Sequence, residues 1–198
     1  MHYLVMAGAI VFLCGTAVYI RDMVHRNTRP NLVTWVLWAV APFVASAAAL
    51  STGARWSVLP TFMVGFGPLL VVICATIKRS AMWKPTMSSY WCGLLSVIAL
   101  VLWRITRDPN VAIGFAILSD TLAALPTLKK AWQFPETESG TIYIAGLLNI
   151  LTSFTVVQMH SFAEIGFPIY LTLLHIALIY AVYKKTFVRS DLGTISPL

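Results

Sequence analysis

Residues 109–130 read PNVAIGFAILSDTLAALPTLKK, and the fold turns on what this stretch can be. From 109 to 128 the run carries a single charge, Asp120, before two lysines close it. About 20 apolar residues in sequence are what a helix needs to cross roughly 30 Å of hydrocarbon. Six further runs free of Asp, Glu, Lys and Arg flank it, at 1–20, 30–54, 56–77, 85–103, 139–163 and 165–183. Within the fourth of these, 88–103 is the shortest apolar stretch, and it needs Arg104 to reach back to the interface.

Composition agrees with this reading. Hydrophobic residues make up 59% of the 198 and charged residues only 11%. A soluble domain holds about 45–50% and 25%. Disorder needs the opposite balance, low hydrophobicity and high charge. Cys14, Cys74 and Cys92 each lie inside an apolar run, so they read as free thiols rather than a disulfide framework. No alternation of apolar and polar residues in segments of about ten supports a membrane barrel. Backbone groups in lipid must pair internally, so helices remain. The first run lacks a basic leader, only His2 preceding its apolar residues, and is read as a retained helix rather than a signal peptide.

Lys and Arg set the expected orientation. With seven spans, one side carries Arg21, Arg26, Arg29, Lys78, Arg79, Lys84, Lys129, Lys130, Lys184, Lys185 and Arg189, eleven in all, and the other Arg55, Arg104 and Arg107. The positive-inside rule then puts the amino terminus outside and the carboxyl terminus in the cytoplasm. The net charge of +7 is accounted for as a topology signal, with anionic lipid headgroups attracted to it and no nucleic-acid partner implied. Trp83, Trp103 and Trp132 sit near span ends, where indoles anchor at the interface.

The chain also resembles itself at an offset of about 107 residues. GAIVFLCGTAVYIRDMVHRNTRPNLVTWVLWAVAP, from Gly8, overlays FAILSDTLAALPTLKKAWQFPETESGTIYIAGLLN, from Phe115. Thr34 falls on Thr141, Pro42 on Asn149, and Pro60 near Pro168. The match is one of hydropathy and punctuation, with few identities. It divides the chain into a first three-helix repeat (1–80), a linker helix (81–107), and a second three-helix repeat with a cytoplasmic tail (108–198). An odd linker makes the two units parallel, one of the two symmetries found in transporters, with the solute site near the midplane between them. A bundle can equally duplicate without transporting anything.

This 3+1+3 plan resembles the SWEET / PQ-loop superfamily, which includes SWEET sugar transporters, lysosomal amino-acid carriers and the KDEL receptors. Leu125-Pro126-Thr127-Leu128-Lys129-Lys130 is similar to a PQ-loop with Thr127 where the family has Gln. In the first repeat Tyr19-Ile20 stands at the matching place, without the dipeptide. Thr28-Arg29-Pro30-Asn31, followed by Thr34, Trp35 and Trp38, is similar to the loop and second-helix start of small bacterial PQ-loop-like proteins. The resemblance implies an aromatic on each second helix stacking on a sugar, here Trp38 and Tyr143. It also implies an Asn on each third helix, where this chain has Gly67 or Pro68 and His175, so a paired-Asn clamp is absent.

The residues add their own candidates. Asp120 shares a small, polar helix face with Ala116, Ala123, Ala124 and Thr127. Asn149 lies on a like stripe with Ala145, Gly146, Thr152 and Ser153, and Trp38, Pro42, Ala45, Ser46 and Ala49 form a third. A mid-span Asp costs about 2.5–3.5 kcal/mol of insertion free energy, more than a purely structural role commonly justifies. Asp120 is therefore the candidate proton-coupling group. Trp38, Tyr143, Asn149 and His175 are the candidate solute-binding set. Asn149 and His175 can equally be interhelical bonds, and Trp38 packing. Pro126 and Pro42 are candidate hinges, because proline deletes a backbone hydrogen bond and crowds the preceding turn.

Catalysis is not expected. His2, His25, His160 and His175 are scattered without metal-ligand spacing, Gly65-Phe66-Gly67 lies inside an apolar span, and no lysine is placed for a retinal Schiff base. The expectation is an all-α integral membrane protein, seven transmembrane helices as two parallel three-helix bundles joined by a linker helix. It is read as a carrier of a sugar or amino-acid-like solute by alternating access, with no enzyme activity, cofactor or metal. Its partners are a small solute and the bilayer, with a homo-oligomer open, and its place the bacterial inner membrane. The alternative is a non-transporting receptor or structural protein of the same fold.

Overall fold

The computed structural model describes residues 2–78, 84–106 and 108–193. Arg79, Trp83 and Arg107, used above for orientation and anchoring, lie outside them. The described chain is all-helical: α1 (His2–Val24), α2 (Leu32–Ser51), α3 (Val58–Lys78), α4 (Met87–Thr106), α5 (Pro109–Gln133), α6 (Thr141–Ser153) and α7 (Phe162–Gly193), with a single 3-10 turn at Pro135–Thr137 before α6. Five of these helices, α1, α2, α3, α5 and the Phe162–Lys184 part of α7, are long and apolar enough to cross a membrane. That is the pattern of an all-α membrane protein.

The surface confirms which solvent the bundle is built for. Leu4, Ile10, Leu50, Leu94, Leu148, Leu173 and Ile176 are exposed, while Thr34, Ser119, Asp120, Asn149 and His175 are buried. A water-soluble chain would not expose so continuous an apolar face. In lipid the arrangement is the favourable one, because polar groups have no solvent partner outside.

Helix ends follow from local chemistry. Asp108 caps α5, its side chain accepting from Asn110 N at 2.8 Å and Val111 N at 3.2 Å, with Pro109 in the first helical position. Gly53, at φ 95°, turns the chain after α2, where Ala54 N reaches back to Ala49 O at 3.2 Å.

The sixth helix corrects the sequence reading. A run over 139–163 was expected to span, yet α6 stops at Ser153, and 13 residues rise only about 20 Å. The hydroxyls of Thr152, Ser153 and Thr155 bond the carbonyls of Asn149, Ile150 and Thr152. Such side chains compete with the helical ladder and favour its ending. Glu164 then takes the freed backbone, accepting from Gln158 N at 3.1 Å and Met159 N at 2.6 Å. The fourth helix errs the other way: Met87–Thr106 exceeds the expected 88–103. Beyond residue 183, where the seventh span was expected to stop, α7 continues as helix to Gly193.

Packing rests on close approaches. The helix pairs in contact are α1 with α3 and α6, α2 with α3, α4, α5 and α7, α3 with α6 and α7, α4 with α5, α5 with α7, and α6 with α7. A methyl added to Gly15 would lie 2.4 Å from the Ala145 Cβ, and one on Gly67 would lie 2.6 Å from the Phe12 ring. Small residues bring transmembrane helices to van der Waals distance, the main attraction available where the solvent is itself apolar. Gly114 is the contrast, with nothing within 4 Å. Gly15→Ala should therefore lower unfolding stability in micelles by about 1–3 kcal/mol through overpacking. Gly114→Ala should raise it by up to about 1 kcal/mol through helix propensity. Equal effects at the two positions would show that the α1–α6 seam is not the tight contact described here.

Candidate functional site

A cavity lies inside the bundle, lined from α1, α2, α3, α5, α6 and α7. Four of the sequence candidates line it: Trp38, Asp120, Tyr143 and His175, with Phe12 and Trp35 closing its sides. It offers only about 30 Å³ to the centres of water molecules. Ligand pockets for drug-sized molecules run to roughly 300–1,000 Å³, so this cavity is far smaller than such a pocket.

Asp120 arrives on the buried face of α5 together with Ala116, Ala123, Ala124 and Thr127, as the stripe reading requires. Its Oδ2 accepts from the Tyr170 hydroxyl of α7 at 2.9 Å. Its Oδ1 is buried without a hydrogen-bond partner among the described residues. Tyr170 went unnoticed in the sequence, although it stands five residues before His175 on the same helix. His175 places Nδ1 2.7 Å from the Leu171 carbonyl, one turn back. A carbonyl only accepts, so Nδ1 carries the proton, and in the neutral ring Nε2 is left as an acceptor. Gly146 makes room for that nitrogen, since a Cβ there would sit 2.2 Å from Nε2.

The aromatic wall is continuous. Tyr19 of α1 packs on Trp35 at a centroid distance of 4.6 Å, Trp35 on Trp38 at 5.6 Å, and Trp38 edge-on to Tyr143 at 6.3 Å. The Tyr19 and Tyr143 hydroxyls then both donate to Glu138 Oε2, at 3.3 and 3.0 Å. These contacts form a closed ring. The other Glu138 oxygen pairs with Lys130 Nζ at 2.5 Å, both side chains being almost fully buried. Lys130 also donates to the Arg29 carbonyl, and Arg29 N donates to Thr137 O at 3.1 Å.

Lys130 thereby adds to the sequence reading, which counted it only among the basic residues that set orientation. The helix α5 runs on to Gln133 and turns Lys130 inward, where Glu138 compensates it. Glu164 is likewise no loop residue but sits in the first turn of α7, bonded to Ser57 Oγ as well as to the backbone above. Neither acid showed itself in the sequence, because both lie at span ends where charge is ordinary.

Three candidates stand elsewhere. Asn149 does not line the cavity: its Nδ2 donates to the Pro60 carbonyl of α3 at 2.9 Å, an interhelical bond. Pro126 and Pro42 lie inside helices assigned without interruption, α5 continuing seven residues beyond Pro126. What the prolines do contribute is a missing backbone donor in each helix.

No family model matches the chain, and no curated protein or solved structure matches it either. The arrangement itself must carry the reading. Chemically, the lining residues are largely aromatic and aliphatic, and among their polar atoms the Trp35 and Trp38 indole N–H groups and Asp120 Oδ1 are buried without a partner. Asn149→Ala should weaken the α3–α6 contact, lowering stability in micelles by about 1–2 kcal/mol. Loss of ligand binding at undiminished stability would move Asn149 from packing to the site.

Proposed function

We propose that the chain is a small-solute carrier of SWEET-like plan that works by alternating access, with its two units formed by α1–α3 and α5–α7. The observation that carries this reading is the small cavity inside the bundle to which five helices, α1, α2, α5, α6 and α7, each bring an aromatic or polar side chain. Sites of this kind, at the midplane between repeated units, are the common design of secondary transporters. The packing supports the two-unit arrangement. Exchanging α1 with α5, α2 with α6 and α3 with α7 turns every contact among these six helices into another that is present: α1–α6 becomes α2–α5, α1–α3 becomes α5–α7, α2–α3 becomes α6–α7, and α3–α6 becomes α2–α7. Among the described residues α4 touches only α2 and α5, as a linker outside the exchange would.

In this reading Trp38 and Tyr143 bound the solute, His175 accepts a hydrogen bond from it, and Asp120 couples its passage to a proton. Asp120 suits that role because one carboxyl oxygen is held by Tyr170 while the other faces no donor. A carboxyl that takes a proton in one access state and yields it in the other would let the gradient do work on the solute. Pro126 and Pro42 are the proposed points of bending, and the bacterial inner membrane the proposed location. The lysines and arginines of the 21–29, 78–84 and 129–138 segments favour a cytoplasmic carboxyl terminus. A reporter fused after Leu198 should read cytoplasmic, and an extracellular signal would invert the topology.

Uptake into proteoliposomes, screened over sugars and amino acids, tests the carrier. The native protein should show uptake that responds to an imposed pH gradient, and Asp120→Asn should fold normally yet lose that response. Uptake indifferent to pH in both proteins would make the chain a uniporter with a structural Asp120. No uptake, together with a ligand-induced rise in melting temperature, would favour the receptor of the same fold.

A further inference from the structure

Resting on the carrier reading, we propose that the Lys130–Glu138 pair is a latch that holds the cavity shut at the end of the bundle bearing the 21–29 and 129–138 segments. In the same proposal Tyr143 is the positioning residue that ties the latch to the cavity.

Four separate pieces of chain meet at this point. Lys130 comes from the last turns of α5 and Glu138 from the connection to α6. Tyr19 comes from α1, and the Arg29 carbonyl from the connection between α1 and α2. Arg29 N to Thr137 O, and Ser139 Oγ to Asp22 Oδ2 at 2.9 Å, staple the same two connections together. No other ion pair is buried among the described residues; the second, Arg21–Asp22, joins neighbours at the surface. Separating α1 and α2 from α5 and α6 at this end requires breaking this cluster.

The chemistry suits a latch better than a permanent weld. A buried ion pair is poor net stabilisation compared with apolar residues of the same volume, because both ions were taken from water. Its particular property is that water admitted to the site can replace each partner. An apolar seam such as Gly15 against Ala145 has no such substitute. The latch is also joined to the site. Tyr143 lines the cavity with its ring and donates to Glu138 with its hydroxyl, so a solute that displaces the ring draws on the same hydrogen bond that completes the closed ring.

Glu164 marks the opposite end and provides the control. It holds Ser57, Gln158 and Met159, with no cation paired to it among the described residues, and joins the start of α7 to the connections before α3 and after α6.

The test reads accessibility and needs no solute. Cys14, Cys74 and Cys92 are replaced by Ala, and Leu178→Cys, on the buried cavity wall, is the reporter. Its reaction with a water-soluble maleimide is timed in micelles. Glu138→Gln should speed labelling at least about fivefold, the low end of ordinary coupling between sites. Tyr143→Phe should speed it less, and Glu164→Gln should leave it unchanged. Because a lone buried Lys130 can prevent folding, the charge-neutral double variant Lys130→Met with Glu138→Gln is measured alongside, each protein being first shown to be monodisperse and cooperatively melting. Unchanged labelling in a folded double variant overturns the latch. So does an equal rise in Glu164→Gln, which would mean general loosening. Faster labelling with no uptake of any solute by the native protein would leave the latch standing and remove the carrier.

Discussion

A polar side chain in hydrocarbon has no water to turn to, and the interior of this bundle is organised around that demand. Asn149 meets it by crossing to the Pro60 carbonyl, Thr16 and Thr121 by bonding the carbonyl one turn back on their own helices, and Lys130 by facing Glu138. The demand also shapes backbone. Where Thr152, Ser153 and Thr155 draw on helix carbonyls, α6 ends early, and the Glu164 carboxylate receives the amides left over. Polar atoms left without partners are therefore informative, and three of them, Asp120 Oδ1, Trp35 Nε1 and Trp38 Nε1, belong to residues lining one cavity.

Close packing and movement are divided between different parts of the structure. Gly15, Gly67 and Gly146 let neighbouring helices or side chains approach so nearly that a single methyl would collide. Interfaces of that kind resist gradual deformation, since interiors are packed like organic crystals. A cavity of about 30 Å³ cannot admit a sugar or an amino acid unless whole helices part. In the proposed carrier such parting would be easiest where contacts are polar and can be exchanged for water. Those contacts are concentrated at the two ends, around Glu138 and around Glu164.

Much of this was legible in the sequence, for a physical reason. Spans follow from runs without charge, and buried stripes from residues three and four apart, so the inward face of α5 and the convergence of Trp38, Asp120, Tyr143 and His175 were readable. What stayed hidden depends on long-range partners. Lys130 reads from sequence only as an orientation charge, and Glu138 draws no reading, because only the fold brings Tyr19, 119 residues away from Glu138 in sequence, to their side. Asn149 read equally as a ligand residue and as an interhelical bond, because a mid-span amide looks the same whether it faces a cavity or a carbonyl. The short α6 was missed because hydropathy counts Thr and Ser as neutral, whereas their hydroxyls act on the helix ladder directly.

Three buried acids can be ranked by what each already holds. Glu138 has a cation and two phenol hydroxyls. Glu164 has a serine hydroxyl and two backbone amides. Asp120 has one phenol. A carboxyl group with several donors in place gains little from another, and losing one leaves a buried acceptor short, at a typical cost of about 1–3 kcal/mol. Glu138 and Glu164 are accordingly groups that hold structure and release it only when their surroundings open. Asp120 is the acid with most to gain from a new partner, and it stands where the cavity would present one. Well-held acids at both ends of the bundle, with a sparsely held acid between them, are the layout the proposed carrier would use: the ends would decide access, and the middle what occupancy is worth.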